Sequence, residues 1–86
     1  MSAFVASVEV MLKASVNDPQ GLSIRNALRT LGFDGVQDVR AGKRIVVTLE
    51  APDAGQARAA VEAMADKLLA NPVIETFSVR EIAPAP

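Results

Sequence analysis

The sequence has no cysteine, no histidine, no tryptophan and no tyrosine. Without cysteine there is no disulfide, no thiolate nucleophile and no thiolate metal site. Without histidine the usual general base near neutral pH is missing, and so is the commonest metal ligand. A catalyst would have to be built from Asp, Glu, Lys, Arg, Ser and Thr alone. The sequence therefore argues against a self-sufficient enzyme, and no residue stands out as catalytic or metal-ligating. No glycine-rich loop able to cradle a phosphate is present. Aromatic residues make up 3% of the chain and the net charge is −1. A nucleic-acid binder normally carries a basic surplus and stacking platforms, so no nucleic-acid partner is expected. No apolar run approaches the ~20 residues that span a bilayer. No basic segment followed by a long apolar one opens the chain. Neither a membrane partner nor a signal peptide is expected, which leaves the cytoplasm as the expected location.

Half of the 86 residues are apolar. That is enough for one core, and a single domain over residues 1–82 is expected, with 83–86 as a frayed tail. A domain of this size hides only roughly 60–65% of its unfolded surface. A net charge near zero gives little electrostatic protection against self-association.

Residues 4–14 alternate, with Phe4, Ala6, Val8, Val10 and Leu12 on one face and Val5, Ser7, Glu9, Met11 and Lys13 on the other. Period two predicts a strand with one dry face. The stretch VNDPQG follows. Asp18 suits an N-cap, worth about 1 kcal/mol over Ala, and Pro19 suits the first helical position. Ile24, Ala27, Leu28 and Leu31 continue at helical spacing. Gly32 fits the C′ position of a Schellman cap, with Phe33 after it. Residues 36–40 read as a short strand, Ala41-Gly42-Lys43 as a turn with Gly42 free to take positive φ, and 44–50 as a strand that pairs with 36–40 in a hairpin. Asp53, with Gln56 three residues on, opens a second helix. Its expected buried stripe is Ala57, Val61, Met64 and Leu68, helped by Ala60 and Ala65. Asn71 and Pro72 stop it. A last strand covers 73–82, with Val73, Phe77 and Val79 on one face and Ile74 and Ile82 on the other.

The order β-α-β-β-α-β predicts a two-layer α+β domain of ferredoxin-like plan: an antiparallel sheet with two helices on one face. That plan hosts many functions. A metal chaperone would need a Cys pair in the first loop. An RNA-recognition domain would show aromatic residues where this chain reads RIVVTLE. An acylphosphatase would want an arginine in VNDPQG. A stand-alone, oligomeric, small-molecule sensor of the ACT type stays open. Val5, Met11, Val46, Ile74 and Ile82 are expected on the sheet face away from the helices. Five apolar residues there suggest an oligomer interface.

Three segments together resemble the PurS family, the small subunit of phosphoribosylformylglycinamidine synthase: VMLKASVNDPQG, ALRTLGFDGVQDVRAGKRI and LLANPVIETFSV. The resemblance runs from about Val8 to Val79, with Phe77 where a tyrosine is common. It implies a non-catalytic subunit, a dimer or tetramer, that bridges a PurL-type synthetase and a PurQ-type glutaminase and aids ammonia transfer. The family's complex converts formylglycinamide ribonucleotide, glutamine and ATP to the formylglycinamidine, glutamate, ADP and phosphate. ATP, magnesium and glutamine would be used by the partner subunits, with no cofactor on this chain. Gln20 and Gly21, beyond the capping pair, and the basic tip Arg40, Gly42 and Lys43 are then candidates for partner contact. Glu75, on the inward side of its strand, needs a cation or an N–H group; a structural ion pair and a dimer contact both satisfy that.

Overall fold

A computed structural model describes residues 1–86. Strand β1 (Ser2–Leu12) leads to helix α1 (Pro19–Thr30), then strand β2 (Gly42–Ala51), helix α2 (Ala54–Met64) with a π turn at Ala65–Leu69, and strand β3 (Glu75–Pro84). The sheet has three strands in the order β2-β1-β3, antiparallel throughout. The most apolar strand takes the centre. Its inward residues Phe4, Ala6, Val8 and Val10 are buried, against Leu49, Val47, Ile45 and Lys43 of β2 across the ladder.

The α+β class and the antiparallel sheet match the sequence reading. Several particulars differ. Residues 36–40 form no strand, and β2 has no hairpin partner; it pairs with β1 along its whole length. The connecting segment instead spends its polar groups on α1 and the loop before it. Nor do both helices lie on the sheet. α2 packs against all three strands, whereas only Gly21 of α1 is buried. A compact chain of this length has a radius of gyration of about 12 Å; here it is 16.5 Å, with extents of 52 × 30 × 14 Å. The molecule is a thin sheet with one helix laid on it and one helix standing off as an arm.

The buried stripe of α2 is Ala57, Val61 and Ala65. The π turn closes with the Ala70 N–H donating to the Ala65 carbonyl at 2.9 Å. This wider turn carries Leu69 onto the core and leaves Met64 partly exposed and Leu68 82% exposed. The expected places of Met64 and Leu68 in the stripe are therefore corrected. The largest fully buried side chains are Val8, Val10 and Val61. A core of valines and alanines is thin, since complete burial of one such valine contributes only about 2 kcal/mol.

In β3 the register slips by one between Ser7 and Val8 of its neighbour, so that Ser7 faces Glu81 while Val8 faces Val79. Arg80 is the extra residue. One inserted residue inverts the alternation beyond it. Ile82 consequently sits opposite Ala6 and packs on the core, not on the second face. Val73 is not in a strand either; it lies exposed in the turn before β3. At the other end, β3 runs on to Pro84, and the Ala85 N–H bonds the Ala3 carbonyl at 2.9 Å. Pairing with β1 thus holds most of the segment expected to fray.

Candidate functional site

At the foot of the sheet the β1–α1 loop, the start of α1 and the segment before β2 form one corner, centred on Asp18. This residue is 5% exposed. One carboxylate oxygen accepts from the Gly21 N–H at 2.9 Å as the N-cap of α1. The other accepts from the Ala41 N–H at 2.7 Å. Those two N–H groups hold its carboxyl below the ordinary 3.8; the Arg40 charge and the Gln20 N–H add to them, while burial opposes. A carboxylate that accepts from several N–H groups is stabilised in its charged form.

Arg40 closes the corner from the other side. Its Nη2 donates to the carbonyls of Lys13 at 3.0 Å and Val16 at 2.8 Å. The planar guanidinium suits two acceptors at once. Arg40 is thus no exposed tip but an internal clamp on the β1–α1 loop. Gly21 and Gly42 are also used within the chain. A Cβ on Gly21 would collide with the Val39 carbonyl oxygen, and one on Gly42 with the Met11 sulfur and, at 2.7 Å, the Val10 carbonyl oxygen. Gly42 is not the turn residue expected of it. It opens β2 opposite Met11, and Gly32 is the sole residue with positive φ.

Lys43 and Gln20 remain accessible. They border a cleft of about 240 Å³ lined also by Val10, Leu12, Asp18 and Glu75. Glu75 has both kinds of partner that the sequence demanded. Its Oε2 lies 3.9 Å from the Lys43 ammonium, and its Oε1 accepts from the Asn71 N–H at 2.7 Å. Asn71 is not the cap expected at the end of the helix: Leu69 is the last helical residue and Ala70 the C-cap, while the Asn71 side chain accepts from the Val73 N–H at 3.0 Å in the turn that follows. Asp53 accepts from the Gln56 N–H at 2.8 Å. Gly32, with φ of 102°, sits in a Schellman cap: its N–H bonds the Arg29 carbonyl and the Phe33 N–H bonds the Leu28 carbonyl, each at 3.0 Å.

On the second face of the sheet Val5 and Met11 are half-buried and Val46 is 53% exposed. Ile74 lies in the turn before β3, and Ile82 is on the opposite side. The face is crossed by Arg44, whose Nε donates to the buried Ser7 hydroxyl at 2.8 Å. It is therefore less apolar than the sequence suggested. More uncovered apolar side chains lie on α1 and its C-terminal cap: Ile24 and Leu31 share one side, Phe33 follows the cap and Leu22 points nearly the opposite way, with Leu31 and Phe33 exposed at 73% and 59%. Helical spacing identifies the helix and its apolar side, but nothing in that period says which surface the side meets. No group of three or more Asp or Glu side chains gathers where a metal could be held, and no helix is long and apolar enough to cross a membrane.

Polar groups spent on bracing a corner, a thin core and a helix with a bare apolar side define an assembly module of two-layer α+β build. The particular kind follows from its relatives. The family model described as PurS, phosphoribosylformylglycinamidine (FGAM) synthase, matches residues 5–82, and the chain belongs to that family. It is 49% identical over 70 residues to the synthase subunit PurS of Synechocystis, covering 81% of this chain and 70% of that one. It is 43% identical over 74 residues to PurS of Bacillus subtilis, covering 86% and 87%. Among solved structures, PurS of Methanocaldococcus jannaschii aligns with a TM-score of 0.83 at 34% identity over 96% of this chain and 99% of that one. A chain in the structure of PurLQS from Thermotoga maritima aligns with a TM-score of 0.86 at 34% identity over 94% and 99%. These matches favour a synthase subunit over the stand-alone ligand sensor.

Proposed function

We propose that this chain works as the non-catalytic small subunit of FGAM synthase, bridging a PurL-type synthetase and a PurQ-type glutaminase and aiding the passage of ammonia between them. The observation that carries the reading is the alignment with a chain of the PurLQS structure over 94% of this chain. In this reading the complex aminates formylglycinamide ribonucleotide with glutamine and ATP in the cytoplasm. ATP, magnesium and glutamine belong to the partner subunits, and this chain binds no cofactor. Gln20, Gly42 and Lys43 are the exposed members of the expected contact set, at the mouth of the cleft at the sheet's foot. The chain also self-associates, as a dimer or tetramer. The support is the bare apolar side of α1 beside a sheet that carries one helix where the plan has room for two.

Reconstitution tests the bridging role. The synthetase and glutaminase subunits are assayed with and without this chain, once with glutamine and once with ammonium as nitrogen donor. Glutamine-dependent synthesis should require the chain, and the ammonium reaction should need it less. Equal rates with and without it would overturn the reading. For self-association, Leu31→Glu with Phe33→Glu should lower the mass found by light scattering at micromolar concentration without loss of helix signal. An unchanged mass would remove α1 from the interface.

A further inference from the structure

The chain holds one Asp-Gly pair, Asp34-Gly35. It forms the middle of the turn that follows α1. The Val36 N–H closes that turn on the Phe33 carbonyl at 3.2 Å, and no backbone carbonyl takes the Gly35 N–H. Both residues are exposed. Nothing lies within 4 Å of the place a Gly35 Cβ would take, so the Gly35 nitrogen is unshielded on that side. Asp34 enters neither of the chain's two ion pairs. The other aspartates are differently placed. Asp18 precedes Pro19, which has no N–H, and both its oxygens are bonded. Asp53 caps α2, and Asp66 is held in the π turn. The Asp38 carboxylate does lie near the next nitrogen, accepting from the Val39 N–H at 3.0 Å, but Val39 brings a branched, stiff Cβ that crowds this nitrogen.

We propose that Asp34 is a site of spontaneous modification, passing through a succinimide to isoaspartate. The Gly35 nitrogen attacks Cγ of the protonated Asp34 carboxyl. An N–Cγ bond forms, the Cγ–OH bond breaks, and the hydroxyl leaves with the amide hydrogen as water. The product is a five-membered imide. Closing that ring needs a backbone free to swing the nitrogen toward Cγ, and glycine supplies the freedom. Water then opens the imide at one of its two carbonyls, the hydroxyl adding to carbon and the hydrogen returning to nitrogen. Opening at Cγ restores aspartate. Opening at the main-chain carbonyl leaves the chain running through Cγ, with a free α-carboxylate. Mass is unchanged, and no oxidant, cofactor or enzyme is needed. The isoaspartate adds one carbon to the backbone between Phe33 and Val36. The turn bond at 3.2 Å and the bond from Arg29 Nε to the Val36 carbonyl at 2.8 Å both span that point. From Arg40 on the segment is anchored to the β1–α1 loop and to Asp18. The change therefore falls on the end of α1.

Ageing the full chain tests it. Purified protein is held at neutral pH and physiological temperature, and samples taken over time are digested with trypsin. The fragment Thr30–Arg40 carries both Asp34 and Asp38. A second fragment of the same mass and different retention should grow in, and its fragmentation should place the extra backbone carbon at residue 34. An isoaspartate-specific carboxyl methyltransferase with a labelled methyl donor should mark the same fragment. Asp34→Glu would need a six-membered ring, and Gly35→Ala adds a Cβ that meets nothing in the fold. Both variants should hold the label at the level of fresh protein. Aged wild type without the second fragment, or with the extra carbon at residue 38, overturns the proposal. Growth in Asp34→Glu equal to that in wild type does the same. The free peptide of residues 30–40, aged in parallel, shows the reaction without the fold. A folded chain that stays unmarked while the peptide is converted would mean that the turn is protected, which also overturns the proposal. None of these outcomes bears on the synthase reading.

Discussion

The carbonyl oxygen of Val39 occupies the place where any residue other than glycine at position 21 would put its Cβ. The first turn of α1 and the segment leading to β2 are in backbone contact there. Gly21→Ala must push that segment away and disturb the Asp18 bonds beside it. Overpacking of this kind typically costs about 1–3 kcal/mol. Gly35→Ala is the control, since nothing lies within 4 Å of its added Cβ. Urea unfolding of the two variants should show a lowered midpoint for the first and none for the second.

Arg40 and Lys43 should part company. Removing Arg40 leaves the partly buried Val16 carbonyl without its donor and the Lys13 carbonyl with only the Val16 N–H, and hydrogen bonds from a charged group contribute about 1.5–3 kcal/mol each at most. Arg40→Ala should thus lower stability by roughly 2 kcal/mol. Lys43 is more than half exposed and 3.9 Å from Glu75. Lys43→Ala should stay within about 0.5 kcal/mol, as surface pairs do. Equal losses in thermal melts would contradict the clamp.

The acid limb of the stability curve should carry the mark of Asp18. Its folded-state pKa is depressed. Its contribution is therefore complete above the unfolded value near 3.9 and is lost as pH falls through the lower folded value. Asp18→Asn removes that titration. Melting temperatures between pH 2 and 6 should fall less steeply for the variant than for the wild type, from a lower starting point. Parallel curves would show that other carboxylates set the acid limb.

Val61 and Leu68 give a further contrast on α2. Val61→Ala empties part of the core and should cost about 2 kcal/mol. Leu68→Ala removes a larger side chain from an exposed position and should cost no more than about 0.5 kcal/mol. Plain helical spacing would place Leu68 in the core, so a large loss there would argue against the π turn.

What could be read from the residues was what depends on near neighbours. Asp18 and Asp53 cap their helices, and Gly32 ends α1, because each acts within a turn of its own position. The faces of β1 and β2 followed from strict alternation. The misreadings come from single-residue events and from distant choices. The extra residue at Arg80 moved Ile82 across the sheet, and the π turn moved Leu68 out of the core. Gly21 and Gly42 looked available for contact because the backbones they admit, at Val39 and Val10, are far away in sequence. Arg40 looked like a tip because its acceptors lie 27 and 24 residues before it.

The bare side of α1 makes the stability of this chain a matter of its amount. If that surface is covered by association, folding and assembly are linked by mass action, and melting temperature rises with protein concentration. The converse holds for a surplus. Copies made beyond what their partners can cover keep Leu22, Ile24, Leu31 and Phe33 open to water, and such copies unfold more often and meet proteases and chaperones more often. The arm that joins the assembly is then also what ties the level of free subunit to the level of its partners.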